Sequence, residues 1–404
     1  MSIKIKNLLA ITVILVASIG LRYYLLQKPG FDNDIKLFLH WGGQINEEGL
    51  AGVYTKNAYS QGVDYPFLVP YATSFLVKAT QGASGEQRVF LFKLTPAIFE
   101  FIFALIAGYL IYKSRVKYKW QLLTVAVVQP ALALVSAGWG QVDSVMVLTV
   151  LIAFLLIEKN GYLATFFIFL ALLVKPQALP AAFVFFVYLL SKRDLKNLIF
   201  QALFFIFLWL VGVLGFRYIF EASLFDPYLK SVGRYEMLSL NAFNFWWALF
   251  GQRSWDIKDI VGAPLSFRKE GFVLLGIFSI PVLTYLLYKK RKLEEAILAL
   301  AYLYLAFFVF PTEIHERYLY PAVAFLSIAA LTSKKVFAVY LVLSIVFLVN
   351  VFAVLQTYYP QFGFAQIDLL RGTWSRGVAL VSVAACLYLA AHLIFVSFQS
   401  TSHE

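Results

Sequence analysis

Apolar runs of membrane length recur along almost the whole chain. Stretches such as residues 88–112, 196–220 and 335–356 are predominantly apolar, and about 17–25 such residues carry a helix across a bilayer. Only 14% of the residues are charged and 61% are apolar, with a mean hydropathy of +0.77. Soluble domains carry about a quarter of their residues as charges. The chain therefore reads as an all-α polytopic membrane protein, one integral domain over residues 1–404. It has no internal repeat, no low-complexity tract and no separate soluble part.

The basic residues give the orientation. They cluster at 113–119, 192–196, 289–292 and 334–335, with Lys4 and Lys6 at the start, while most acids fall in the other loops. This is the positive-inside pattern, which makes both termini and the basic loops cytoplasmic. The net charge of +12 is thus topological and points to no nucleic acid. The start, Met1-Ser-Ile-Lys-Ile-Lys6, precedes an apolar run without a small-residue cleavage site, so that run reads as an uncleaved first span.

About twelve crossings follow from the apolar pattern. They fall at 7–26, 88–112, 120–137, 142–158, 161–175, 177–191, 196–220, 271–289, 293–310, 317–333, 335–356 and 376–398. Residues 27–87 form a first outer loop. It holds an amphipathic stretch from Asp34 to Glu48 and an apolar piece, Tyr65–Ala79, broken by Pro66 and Pro70, that lies on or dips into the membrane. Residues 221–270 form a second long outer loop.

Four polar clusters map to the outer side: Asp32 and Asp34, Gly138-Trp-Gly-Gln-Val-Asp-Ser144, Lys175-Pro-Gln177, and His315-Glu-Arg317. The last sits in Pro311-Thr-Glu-Ile-His-Glu-Arg-Tyr-Leu-Tyr-Pro321, between apolar runs. Charges beside hydrocarbon cost a few kcal/mol each on insertion scales, about 2.5–3.5 at the centre. The segment is either a topogenic hairpin or a site for a charged, lipid-bound substrate.

Asp32 is a natural N-cap for a helix starting near Asn33. Asp34, Leu37, Phe38 and Trp41 share one helix face. A carboxylate beside aromatic rings suits a sugar: the acid accepts a hydroxyl proton and the rings pack on C–H groups. Asp64-Tyr65-Pro66 reads as a helix start or as part of the site. Gln141 and Asp143 either cap a span or form a pocket wall. Lys175 either snorkels or, with Gln177, meets a lipid-linked phosphate. His315, Glu316, Arg317 and Tyr318 either anchor the interface or bind phosphate and sugar. Glu100 lies mid-span and calls for a structural partner.

Several chemistries are excluded. The chain has no P-loop, no HExxH and no GxSxG. The single cysteine, Cys386, rules out an intrachain disulfide and a thiolate cluster. With four histidines, two of them near the C-terminus, no transition-metal site is expected. Carboxylate-bound magnesium or manganese stays open.

In their order these motifs resemble the GT-C superfamily of integral membrane glycosyltransferases. They are most similar to its bacterial branch related to the eukaryotic enzyme that adds the second mannose of GPI anchors. The motifs are Asp32-Asn-Asp34 with Trp41, Asp64-Tyr65-Pro66, Gly140-Gln-Val-Asp143-Ser144, Lys175-Pro-Gln177 and His315-Glu-Arg-Tyr-Leu-Tyr-Pro321. At Asp64-Tyr-Pro66-Phe67 relatives commonly have a second proline. The resemblance covers about residues 7–330. It implies a GT-C-like fold with juxtamembrane helices in the first outer loop. It also implies an inverting transferase of the plasma (inner) membrane, working on the outer face with a polyprenyl-phosphate sugar. An acid of the first outer loop is the presumed base, which carries over to Asp34 or to Asp32.

The reading is a hexosyltransferase with mannose as first sugar, Asp34 as base, and Lys175, His315 and Arg317 on the leaving phosphate. The acceptor is left open among lipid, glycan and protein. The alternatives are a transporter or flippase of lipid-linked saccharides, or a glycan polymerase or ligase. An enzyme needs one pocket open to the outer surface and to lipid; a transporter needs a path to both sides.

Overall fold

The computed structural model describes residues 3–55, 63–231, 233–257, 266–288, 292–362 and 369–399. It is 81% helical, an all-α polytopic membrane protein. Seven described helices are long and apolar enough to cross a membrane: Ile5–Leu26, Gly85–Lys113, Lys119–Trp139, Leu195–Ile219, Phe267–Tyr288, Lys334–Tyr358 and Thr373–Gln399. Three apolar helices are shorter, Asp143–Leu156, Gly161–Val174 and Pro176–Ser191. At about 1.5 Å per residue, the first two rise only about 21 Å, less than a hydrocarbon core of about 30 Å. The Leu293–Val309 helix is buried almost throughout and packs on its neighbours from the 143–156, 179–191, 267–288, 320–329 and 373–399 segments.

The Gly85–Lys113 helix reaches two surface grooves, and each carries both basic and acidic side chains. The Gly85–Lys113 helix has 29 residues, about 43 Å of rise. Its Lys113 end meets Arg115, Lys292 and Thr332 around one groove. Its Gly85 end meets Pro29, Asp32 and Lys36. Of the expected basic loop at 289–292, residues 289–291 lie outside the described residues. So do residues 56–62 of the first expected outer loop, and residues 232 and 258–265 of the second.

The expected span at 120–137 is interrupted. Lys119–Val128 ends at Gln129, Pro130 opens a short turn, and Leu134–Trp139 continues as a π-helix. Proline supplies no N–H to the ladder, and such irregular turns recur at functional sites. Gln129 occupies the break and donates to Tyr340 Oη at 2.7 Å and Ser344 Oγ at 3.0 Å. Gly140 then turns the chain at φ 93°, where a Cβ would meet Ile35 and Lys93 side chains at 3.0 Å.

The acidic segment after residue 30 forms a helix longer than its amphipathic pattern, Asp32–Thr55, with a kink at Gly49. Leu68–Ala79 packs across it. The crossing is close at Gly42, where a Cβ would stand 2.8 Å from the Thr73 backbone. Asn46 Nδ2 donates to the Ser74 carbonyl at 3.0 Å. Asp64 does not cap that second helix; its N-cap is Phe67, which offers no side-chain bond. Likewise Asp32 is the first helical residue rather than the cap, since the Ile35 amide already donates to the Phe31 carbonyl at 3.1 Å.

Buried charge in the helices is satisfied, by an ion pair at Glu100 and by backbone carbonyls at Lys93. Glu100 meets Arg22 through two 2.6 Å bonds. Lys93 Nζ donates to the Leu25, Leu26 and Lys28 carbonyls, at 3.0, 3.1 and 2.5 Å, and so closes the end of the first helix. Cys386 is buried with a free thiol.

Candidate active site

The site is assembled around the first turn of the Asp32–Thr55 helix. The Phe31 amide donates to the Trp139 carbonyl at 2.9 Å, and the two rings stack at 4.1 Å. This pins the helix start to the π-turn. Residues two apart on a helix point roughly 200° apart. Asp32 therefore faces outward: its side chain is 44% exposed and pairs with Lys36 at 2.5 Å. Asp34 faces inward and is held by Trp139 Nε1 at 2.9 Å and by Gln141 Nε2, both on Oδ2. Among the described residues no hydrogen bond reaches Oδ1. Tyr65 Oη donates to Gln141 Oε1 at 3.3 Å, which orients the amide so that its nitrogen faces Asp34. The Tyr65 carbonyl accepts from Tyr54 Oη at 2.8 Å.

Arg317 faces Asp34 across a gap. Its Nη1 lies 4.0 Å from Asp34 Oδ2, 3.4 Å from Glu316 Oε1 and 3.5 Å from His315 Nδ1. The guanidinium lies over Trp139 and Tyr318 at 5.7 and 5.9 Å. Its buried Nε has no hydrogen-bond partner among the described residues. The first polar loop and the 311–321 segment thus share one site.

Lys175 is differently placed. It pairs with Asp143 Oδ1 at 2.8 Å, both side chains 1% exposed, and sits 5.6 Å from the Tyr65 and Tyr318 rings. Asp143 begins the Asp143–Leu156 helix and spends one oxygen on Lys175; its Oδ2 has no partner among the described residues. Trp41 is 2% exposed and packs edge-on against Phe38, behind Tyr65.

Two cavities share a wall. One, about 600 Å³, is lined by Asp34, Phe31, Trp139, Arg234, Glu316 and Tyr358. The other, about 220 Å³, is lined by Asp64, Tyr65, Gln177, Tyr228, Arg268 and Phe307. His315, Arg317 and Tyr235 line both, and Tyr318 lines the second. Gln177 presents a buried Oε1 without a partner among the described residues. Lys175 and Trp41 line neither cavity. At Leu179 the smaller cavity meets an apolar groove of about 620 Å³, lined by Phe183, Phe186, Leu190, Phe205 and Trp209.

The electrostatics follow from burial. Burial, reinforced by the charges of Arg317, Lys175 and Arg234, pushes the His315 pKa well below its ordinary value, so the ring is neutral. Burial raises Glu316 to about 7 against the pull of Arg317. Burial also raises Asp64, although Arg234 opposes it from 3.2 Å. Among the described residues no three His, Cys, Asp or Glu side chains converge as a metal centre; Asp34 and Asp64 face arginines and Asp143 faces Lys175.

Three contributors escaped the sequence reading: the Trp139 indole N–H, Arg234 and Tyr235. Trp139 stood inside a motif, and its flanking glycines were the available signal. Arg234 and Tyr235 lie in a long polar loop with no periodicity to mark them.

Residues 89–312, just over half of the chain, match the model for glycosyltransferase family 87. No curated protein matches the chain.

Proposed function

The chain belongs to glycosyltransferase family 87, a GT-C-type family of membrane glycosyltransferases, and on that premise we propose an inverting hexosyl transfer from a polyprenyl phosphate. The observation that carries this reading is the pair of cavities divided by His315 and Arg317, one holding Asp34 and the other continuing into an apolar groove. An isoprenoid chain fits a groove lined by Phe183, Phe205 and Trp209. Mannose is the first sugar to try.

The acceptor hydroxyl enters the Asp34 cavity. Its proton goes to Asp34 Oδ1, because Trp139 and Gln141 already occupy Oδ2. The acceptor oxygen attacks the anomeric carbon as the bond from that carbon to the phosphate oxygen breaks. The electron pair leaves with polyprenyl phosphate, whose growing charge is met by Arg317. Attack and departure on opposite sides of the dividing wall invert the anomeric centre. Phosphate is a good leaving group, so positioning and charge stabilisation carry most of the rate. Neutral His315 serves as a hydrogen-bonding partner for sugar or phosphate. Lys175 acts by fixing Asp143, Tyr65 and Tyr318 rather than by touching phosphate.

The basic loops at 113–119 and 192–196 favour a cytoplasmic position for the Lys113 end of the Gly85–Lys113 helix and hence an outer-face site. The test offers the purified protein polyprenyl-phosphate mannose or GDP-mannose, each with labelled sugar, together with a mixed lipid and glycan acceptor extract. Transfer from the lipid alone is the expected result. Equal transfer from the nucleotide sugar would sink the reading.

A further inference from the structure

The second polar loop is tied to the 311–319 segment before it reaches the site. Ser239 and Leu240 pair in parallel with Ile314 and His315. The Glu313 amide donates to the Met237 carbonyl at 3.2 Å, and Glu313 Oε2 accepts from the Tyr235 amide at 3.3 Å. Arg268 grips the same carboxylate through Nε and Nη2, each at 2.7 Å. Glu313 holds φ 63°, a strained left-handed value that these bonds maintain. The anchored turn sends Arg234 across the site to Asp64 Oδ1 at 3.2 Å. Arg234 lines the Asp34 cavity, and Asp64 lines the smaller one. This guanidinium therefore stands in the Asp34 cavity and touches a carboxylate of the smaller one, beside the boundary where the sugar–phosphate bond would lie.

A departing phosphate monoester carries up to two charges, and Arg317 is shared with Asp34 and Glu316. Lys175 is committed to Asp143 and lines neither cavity. We infer that Arg234 is the second phosphate-binding cation of the donor site, held by Asp64 until a lipid phosphate displaces that carboxylate. This rests on the lipid-phosphate reading above. Burial raises the Asp64 pKa even beside Arg234, so the carboxylate is a weak holder that gives way to a phosphate.

The test measures binding of undecaprenyl phosphate and of undecaprenol, its neutral alcohol, to the full-length protein in detergent. Wild type binds the phosphate lipid more tightly. Arg234→Gln loses about tenfold or more of that affinity, the scale of a lost charge-assisted bond. Arg234→Lys keeps part of it. Asp64→Asn breaks the same ion pair yet binds the phosphate lipid more tightly than wild type, because the competing carboxylate is gone. If the pair only ties two loops together, Arg234→Gln and Asp64→Asn weaken binding alike, and that result overturns the inference. So does wild-type affinity in Arg234→Gln while Arg317→Gln is impaired. A wild type that does not distinguish the two lipids defeats the donor reading itself, and this inference with it. Melting curves without lipid check folding; if Arg234→Gln does not fold, the contrast between Arg234→Lys and Asp64→Asn decides.

Discussion

Two arginine–carboxylate pairs in this protein are built in opposite ways. Between the helices, Arg22 and Glu100 close on each other through two 2.6 Å bonds, and Arg22 also donates to Ser18 and the Val127 carbonyl. Every oxygen of Glu100 is used, and its side chain is fully buried. At the site, Arg317 and Asp34 stop 4.0 Å apart, the Asp34 side chain is 22% exposed, and Arg317 Nε has no partner among the described residues. A closed, bidentate pair is a structural tie, and removing one partner leaves a costly buried charge. An open pair keeps hydrogen-bonding capacity for something that arrives later. The comparison sets a closed tie against a pair of the same kind whose hydrogen-bonding capacity is still open.

The sharpest way to break it is Asp34→Asn. The amide keeps the size and can still meet its neighbours, but it cannot take a proton. We predict that transfer falls by about 10²–10⁴-fold while the protein still inserts and melts near wild type. Near-normal turnover at matched protein levels would remove Asp34 as the base.

Arg22→Met should do the reverse. It strands Glu100, so we predict a loss of about 3–5 kcal/mol of stability, with activity per folded molecule retained. Melting temperature and specific activity of the surviving fraction measure this. A variant that melts normally but loses turnover would place the inner pair in the mechanism.

Glu316 sharpens the comparison through pH. Burial raises its pKa from 4.5 to about 7, so the folded state binds the proton more tightly than the unfolded state. Its stabilising contribution is full below about 4.5 and is lost as pH rises through about 7. His315 acts in the opposite sense, its folded pKa being depressed by burial and by Arg317, Lys175 and Arg234. The difference between wild type and Glu316→Gln isolates the carboxyl. We predict that the variant gains in relative melting temperature between pH 5 and pH 8, values set by about those two pKa limits. A constant difference across that range would show that Glu316 does not titrate there.

The smallest effect is expected from Asp32→Asn. Its ion pair with Lys36 is solvent-exposed, and such pairs contribute about 0.2–1 kcal/mol. Transfer should stay within about twofold of wild type, a change of less than half a kcal/mol. Loss of activity here, with Asp34→Asn active, would move the base by two residues.

Much of the fold was legible because membrane helices are written locally. A run of apolar residues has to satisfy its own backbone, so its length and composition suffice to announce it. Interruptions were harder to read: the break at Gln129 and Pro130 depends on partners at Tyr340 and Ser344, some 210 residues away. Glu100 in mid-span demanded a partner, and only packing selected Arg22.

The sequence alone determined that this chain is a helical membrane protein, and its ordered motifs pointed to a glycosyltransferase. It also nominated the acidic, Gly-Gln-x-Asp, Lys-Pro-Gln and His-Glu-Arg segments as the polar groups that matter. Tertiary structure decided where each of them stands and what it meets. Helix rotation turned Asp34 inward and Asp32 outward. Packing locked Lys175 onto Asp143, held Arg317 short of Asp34, and carried Arg234 from an unmarked loop to Asp64. The physical reason is range: hydrophobic burial is set residue by residue along a helix, whereas a hydrogen bond or ion pair exists only once two distant segments have been brought within about 3 Å.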